Sequence, residues 1–362
     1  LGVSPPDVAD MRVTFFDGSE ILCHENHEWT IYDRSRSQWR TMETKVLADR
    51  AQQNRATFQV QGNGPLAYTE KELPLDPYVL GVWLGDGTST KPAVTHHPDD
   101  EAPIEAIVAA GFPISRQHVH GGTGVVTTYF SGERKGVASP LTTALRFAGV
   151  WNNKHIPEMY QRASIEQRLE LLAGLIDTDG SVCPNTSRTR FVTTSIPLRD
   201  GVAELSRSLG FRTGITHQLA TRSSSGVVGT KTVWTVAFQP TMSIPTRLPR
   251  KRIHRLVAQR RRGIKSVERV ENSEEGRCIQ VAATDGLYLV GATLIPTHNR
   301  LFCSTYFPVW YLNRFPDRRI ILASYGDDFA AKWGRDVREL IKHNQDILDI
   351  QISEESKAAD RW

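Results

Sequence analysis

The acids best placed to do chemistry stand directly ahead of glycine at the ends of two apolar segments. In residues 171–180, LLAGLIDTDG, Leu171, Leu172 and Leu175 make one apolar helical face. Ala173 and Gly174 thin the side chains so that a second helix can come close, and Asp177, Asp179 and Gly180 close the segment. Carboxylates there lie at the negative pole of a helix. Asp179 therefore adds charge where charge is already negative and calls for a cation, most simply a divalent metal held by oxygen. Taken alone, the same residues suit a core helix closed by an Asp-Gly turn. A second copy decides between the two readings. Residues 74–88, PLDPYVLGVWLGDGT, repeat the order of small residue, apolar pair, then acid before glycine, and Asp86 precedes Asp179 by 93 residues (179 − 86).

The elements that must position these acids follow from pattern. Asp76 is suited to cap a helix with Pro77 in its first turn, and Ser164 with Gln167 three residues on can form a capping box for the helix that runs into the central motif. Within the first repeat, VVTTYF (125–130) predicts a strand and PLTTALRFAGV (140–150) a helix. Within the second, TRFVTT (189–194) and TVWTVAF (232–238) predict strands around the helix IPLRDGVAELSRSLG (196–210). Each unit is α+β. Residues 11–33 alternate as strands about an Asp17-Gly18 turn, and residues 263–299 return to β-like patterning. The last sixty or so residues read as helix, the strand RIILASY, then helix, a fragment of an α/β domain.

At 362 residues the chain has room for two or three domains with real cores. No apolar run approaches the roughly 18 residues of a membrane helix. The net charge of +4 is mild, but basic residues cluster between 247 and 265, so that Arg250, Lys251, Arg252 and Arg255 are candidates for a phosphate-facing surface; a solvated helix face is the alternative. Cys23, Cys183, Cys278 and Cys303 are scattered, which argues against a disulfide framework or a zinc site and points to an intracellular protein.

LAGLIDTDG at 172–180 resembles the defining motif of LAGLIDADG homing endonucleases nearly letter for letter, and LGVWLGDGT at 80–88 looks like the family's first motif as it occurs inside inteins. The resemblance implies a monomer of two pseudo-symmetric αββαββα-type units, about 74–163 and 164–262. Their motif helices pack together and their sheets lie on double-stranded DNA at a long asymmetric site in the intein-free gene. It implies Asp86 and Asp179 as ligands of Mg²⁺, with Lys154 in NNKHIP as an assisting lysine and Lys251 in LPRKR as its counterpart. Hydrolysis of a phosphodiester suits these positions, because a metal there lowers the pKa of attacking water and stabilises charge on the phosphate.

The flanks resemble an intein, an all-β Hint splicing domain split into residues 1–68 and 263–299 around an endonuclease at 69–262. CHENHEW looks like the block that carries Thr-x-x-His, with His27 in the histidine place and His24 where a threonine is usual. His298 and Asn299 fit the end of the C-terminal block, where Asn can cyclise onto its own carbonyl carbon and a neighbouring His can protonate the leaving amine. Because the chain opens with Leu1 and Arg300 follows Asn299, complete splicing is not expected, while cleavage after Asn299 is. Residues 300–362 resemble the ATPase domain of phage terminase large subunits without its phosphate loop, which places the protein in the cytoplasm of a bacterial host.

Overall fold

A computed structural model describes residues 7–53, 58–130, 138–219, 230–258, 261–277, 279, 281, 283, 286–298, 307–320 and 327–352. The chain forms two compact units: Leu1–Gln61 with Arg261–Gly291 and Ile295–Trp362, and Gly62–Arg260 with Ala292–Leu294.

The first unit is built on a six-stranded antiparallel sheet. Strand Asp7–Phe15 runs between Glu20–Cys23 and the long strand Arg262–Gly276; Phe58–Val60, Glu28–Asp33 and Gln38–Glu43 continue the sheet in that order. Alternation explains the first strand, since Ala9, Met11, Val13 and Phe15 are buried while Arg12 faces water. The expected turn at Asp17-Gly18 forms, with Gly18 at φ +81° and the Asp17 carboxylate accepting the Ser19 amide. A two-stranded ribbon, Leu287–Val290 against Ile295–His298, completes the unit's described strands. Trp29, Ile31 and Leu47, with no side-chain surface left to solvent, lie in its core.

Helices Phe307–Arg314 and Asp327–His343 join through Val309, Val337 and Ile341, as the sequence suggested. The strand expected over 319–325 falls mostly on residues 321–326, outside the described set, and Arg319 and Ile320 are not strand.

The second unit is organised on two helices, Pro77–Asp86 and Ile165–Asp177. Both start as predicted. The Asp76 carboxylate accepts the Val79 amide at 3.1 Å, and Ser164 and Gln167 form a complete capping box. The helices touch backbone to backbone. A Cβ on Gly81 would lie 2.3 Å from the Leu171 carbonyl oxygen, and one on Gly174 would lie 2.2 Å from that of Tyr78. Residues 78–84 are all buried, so the first helix has no polar face.

Around this pair the repeats differ. After the second helix come Gly180–Val182, Thr189–Thr193, helix Ile196–Ser208, Arg212–Gln218 and Val233–Gln239, which make a four-stranded sheet. After the first come Ala93–His96, helix Glu101–Ala109, Ile114–Val119, Val126–Phe130 and helix Pro140–Phe147, with three strands. The expected αββαββα order therefore needs correction in the first repeat. Where the second has the short strand Gly180–Val182, the first has only an isolated bridge from Gly87 to Val94.

Gly81→Ala or Gly174→Ala is expected to destabilise this unit by about 1–3 kcal/mol or more, because the methyl would have to push two backbones apart. Chemical denaturation followed by circular dichroism checks it, and an alanine variant as stable as the parent would show that the helix pair can open freely.

Candidate functional site

The close approach of the two helices brings their C-terminal ends together. Asp86 is the last residue of the first helix; Asp179 follows two residues after the end of the second. Their carboxylates are near enough to repel. Asp86 is pushed up to about 6, first by burial and then by Asp179, against the opposing pull of Lys251 and Lys154. Asp179 is the more open of the two, and the protein around it still lifts its carboxyl above the usual range against the same two lysines.

Each helix end carries one lysine. Lys154 donates to the Gly85 carbonyl at 2.8 Å and lies over the Trp83 ring, 5.3 Å from its centroid. Burial brings its pKa down to about 8 although Asp179 and Asp86 both pull the other way. Lys251 is buried and donates to the carbonyls of Ile176, Asp177 and Thr178 at 2.9, 2.8 and 2.8 Å. All three of its donors are thus spent on the end of the second helix, where a cation meets the negative pole. The two lysines named from sequence are brought to one place, but they do different work.

Asp177, two residues before Asp179, is held in a different way. It is buried and accepts from Tyr78 Oη at 2.7 Å and from the Arg247 and Leu248 amides at 2.7 and 3.4 Å. A satisfied buried acid of this kind ties the tail of the second repeat to the first helix.

Among the described residues of the basic run, only Pro249–Lys251 is helical, as a turn of 3₁₀ helix, and residues 252–258 are irregular. Arg250 is taken by Asp100 in a two-armed pair, whereas Arg252 and Arg255 are exposed. Asp100 is a partner that sequence reasoning missed, because nothing in residues 97–100 marks it as facing residue 250.

The first unit gathers the other candidates. His27 and His298 are brought together in it. His27 Nε2 is hydrogen-bonded to the Thr297 hydroxyl, and His298 Nε2 to the Thr30 hydroxyl. The His27 carbonyl accepts from Thr44 through both its amide, at 2.8 Å, and its hydroxyl, at 2.9 Å. His27, Thr297 and His298 line a cavity of about 560 Å³ with Cys23, Glu28, Tyr288 and others. Cys23 is buried in it, and burial pushes its thiol up to about 11. His24 accepts the Asn26 amide through Nδ1 at 3.0 Å. Asn299 lies outside the described residues.

Burial, then the charge of His298 and of His24, brings His27 down to about 4 from 6.5. As pH falls, an unfolded chain therefore takes up a proton before the folded one does. The stability contributed by neutral His27 is full above about 6.5 and is lost progressively toward pH 4. An imidazole ¹⁵N NMR titration, with His27→Gln for assignment, is expected to show the ring neutral at pH 5.5 and titrating near 4. Titration near 6.5 would contradict the buried placement.

Residues 155–241 match the family model for homing endonucleases. The replicative DNA helicase DnaB of Mycobacterium intracellulare is 30% identical over 320 residues, covering 80% of this chain and 50% of the helicase. The homothallic switching endonuclease of Saccharomyces cerevisiae is 28% identical over 166 residues, 40% of this chain and 28% of that protein. The chain spans half or less of the length of these relatives. Among solved structures, that of I-DmoI in complex with DNA and Mn aligns at 16% identity and a TM-score of 0.31, covering 46% of this chain and 89% of that one. The terminase likeness of residues 300–362 gains no support from these relatives. The family match is thus to homing endonucleases, and it covers residues 155–241, which include the second of the two motifs. Among the described residues no helix is long and apolar enough to cross a membrane.

Proposed function

We propose that the second unit is a site-specific, metal-dependent endonuclease that cuts double-stranded DNA, carried in an intein-type element whose flanking unit performs peptide-bond cleavage after Asn299. The observation that carries the first part is the meeting of two acids at matched positions on two helices in backbone contact, each helix end with its own lysine. The family match over residues 155–241 supports it.

The donor set suits a small divalent ion such as Mg²⁺. Two carboxylates repel one another at the negative poles of two helices, and Mg²⁺ is commonly held by one or two carboxylates with water and phosphate oxygens completing its octahedron. When bound, such an ion lowers the pKa of attacking water and stabilises charge on the phosphate. Asp86 and Asp179 are the residues that would hold it. Lys154, with its pKa near 8, holds or releases a proton at Nζ close to neutral pH and is assigned the proton transfer to or from the reacting oxygens. Lys251 is assigned to the helix end, because its three donors are already engaged. Arg252 and Arg255 are assigned to the DNA backbone.

For the flanking unit, supporting observations are the buried strand end that presents His298 and its neighbourhood to His27. In the proposed step the Asn299 side-chain nitrogen bonds to its own main-chain carbonyl carbon as the bond to the Arg300 nitrogen breaks. The proton lost from the amide is balanced by the one gained by the leaving amine, for which His298 is the donor. The helicase match extends over 80% of the chain, far beyond residues 155–241, as an element inserted in a helicase-type host would give.

Cleavage of DNA carrying the uninterrupted host gene, with Mg²⁺ or with a chelator, tests the endonuclease. Asp86→Asn and Asp179→Asn are each expected to abolish cutting, and Lys154→Met to slow it by about 100-fold or more. Unchanged cutting in the aspartate variants would refute the assignment. Tight binding of that DNA with no cutting by the parent would favour a protein that binds without cleaving.

A further inference from the structure

Two hydrogen bonds cross between the segment holding His27 and Thr30 and the strand Ile295–His298. The Thr297 hydroxyl meets His27 Nε2, and the Thr30 hydroxyl meets His298 Nε2. Adjacent residues on one strand thus serve opposite roles: Thr297 offers a hydroxyl to a histidine, and His298 takes one from a threonine. Thr297 and His298 are buried, at 2% and 5% exposure, so water does not readily replace either partner.

Position 24 makes this arrangement informative. The block around His27 resembles one that carries a threonine three residues ahead of the histidine; His24 stands there instead, occupied by the Asn26 amide. The hydroxyl that meets His27 instead comes from 270 residues further along the chain, directly ahead of His298. A threonine hydroxyl both donates and accepts, so each of these bonds survives whether the facing ring nitrogen carries a proton or not.

We propose that Thr297 and Thr30 are positioning residues of a single histidine centre, in which the hydroxyl at 297 stands in for the one lacking at 24 and orients His27 while Thr30 orients His298. The centre joins the N-terminal and C-terminal histidines through side chains on both segments, so that loss of either hydroxyl disturbs both rings. The proposal rests on the intein-type reading of the first unit for its chemistry, and on the two cross-strand bonds for its geometry.

The test uses the full chain and follows release of residues 300–362 by mass spectrometry over time. Thr297→Val and Thr30→Val remove a hydroxyl at nearly constant shape and are expected to slow release about tenfold to 100-fold, while Thr297→Ser and Thr30→Ser restore most of the rate. Asn299→Ala is expected to abolish release. If Asn299→Ala still releases the fragment, the intein-type reading fails; if it does not, and both valine variants cleave at the parent rate, the positioning proposal fails alone. Imidazole ¹⁵N NMR gives a readout independent of cleavage. In Thr297→Val the His27 Nε2 resonance and its protonation midpoint are expected to move, with Thr297→Ser restoring them, and a spectrum unchanged in both rings would overturn the proposal even where no release is seen. Circular dichroism of each variant guards against loss of folding.

Discussion

The contact between Gly81 and Gly174 is the constraint on which the second unit depends. Helices usually meet through side chains, with axes about 8–10 Å apart. Here a Cβ at either glycine would fall within 2.3 Å of a carbonyl oxygen on the other helix, so the backbones themselves are in contact. That approach fixes the crossing point, and the crossing point fixes where the ends lie. One turn beyond, Gly85 faces Thr178 so closely that a Cβ on it would sit 2.0 Å from the threonine hydroxyl, and the next residue on each side is the acid. The two carboxylates meet because nothing larger than hydrogen separates the helices that carry them.

Bringing two helix C-termini together is electrostatically unfavourable, and the fold offsets it with lysines rather than by separation. The offset is uneven. Lys251 closes three successive carbonyls of the second helix and belongs to its structure, whereas Lys154 makes one such bond, rests on Trp83, and is left near a pKa of 8. The two helix ends therefore hold their lysines differently, one as a strut and one as a titratable group. Asp177 makes the same point among the acids. Three donors satisfy it in the core, while Asp179, two residues later, is exposed at the helix end.

Much of the second unit was legible because its signals are local. Caps at Asp76 and Ser164 specify where the helices begin, and paired Asp-Gly endings 93 residues apart specify where they end. Strands with a buried face, such as Val126–Phe130 and Val233–Gln239, showed in the pattern. Ile114–Val119 did not. All six of its residues are exposed, so no alternation of polar and apolar residues marks it, and Arg212–Gln218 is nearly as polar. The different work of the two lysines was illegible for another reason. Both sit in a basic or polar block, and only the fold determines how many carbonyls come within reach of each ammonium. The pairing of Arg250 with Asp100 is likewise a meeting across 150 residues that no spacing announces.

The first unit solves an opposite problem with the same economy of groups. The second must hold like charges together, whereas the first must keep two histidines close without both becoming charged. Burial holds His27 neutral, and a proton on His298 makes it harder still to charge His27. His27 is therefore uncharged at neutral pH. A polar but uncharged partner suits each ring better than a carboxylate would, since a carboxylate would raise both pKa values and favour the doubly charged state. Threonine hydroxyls at 30 and 297 meet that requirement, since each can donate or accept. The thiol of Cys23 in the same cavity, lifted to about 11, stays protonated and adds no charge to the balance.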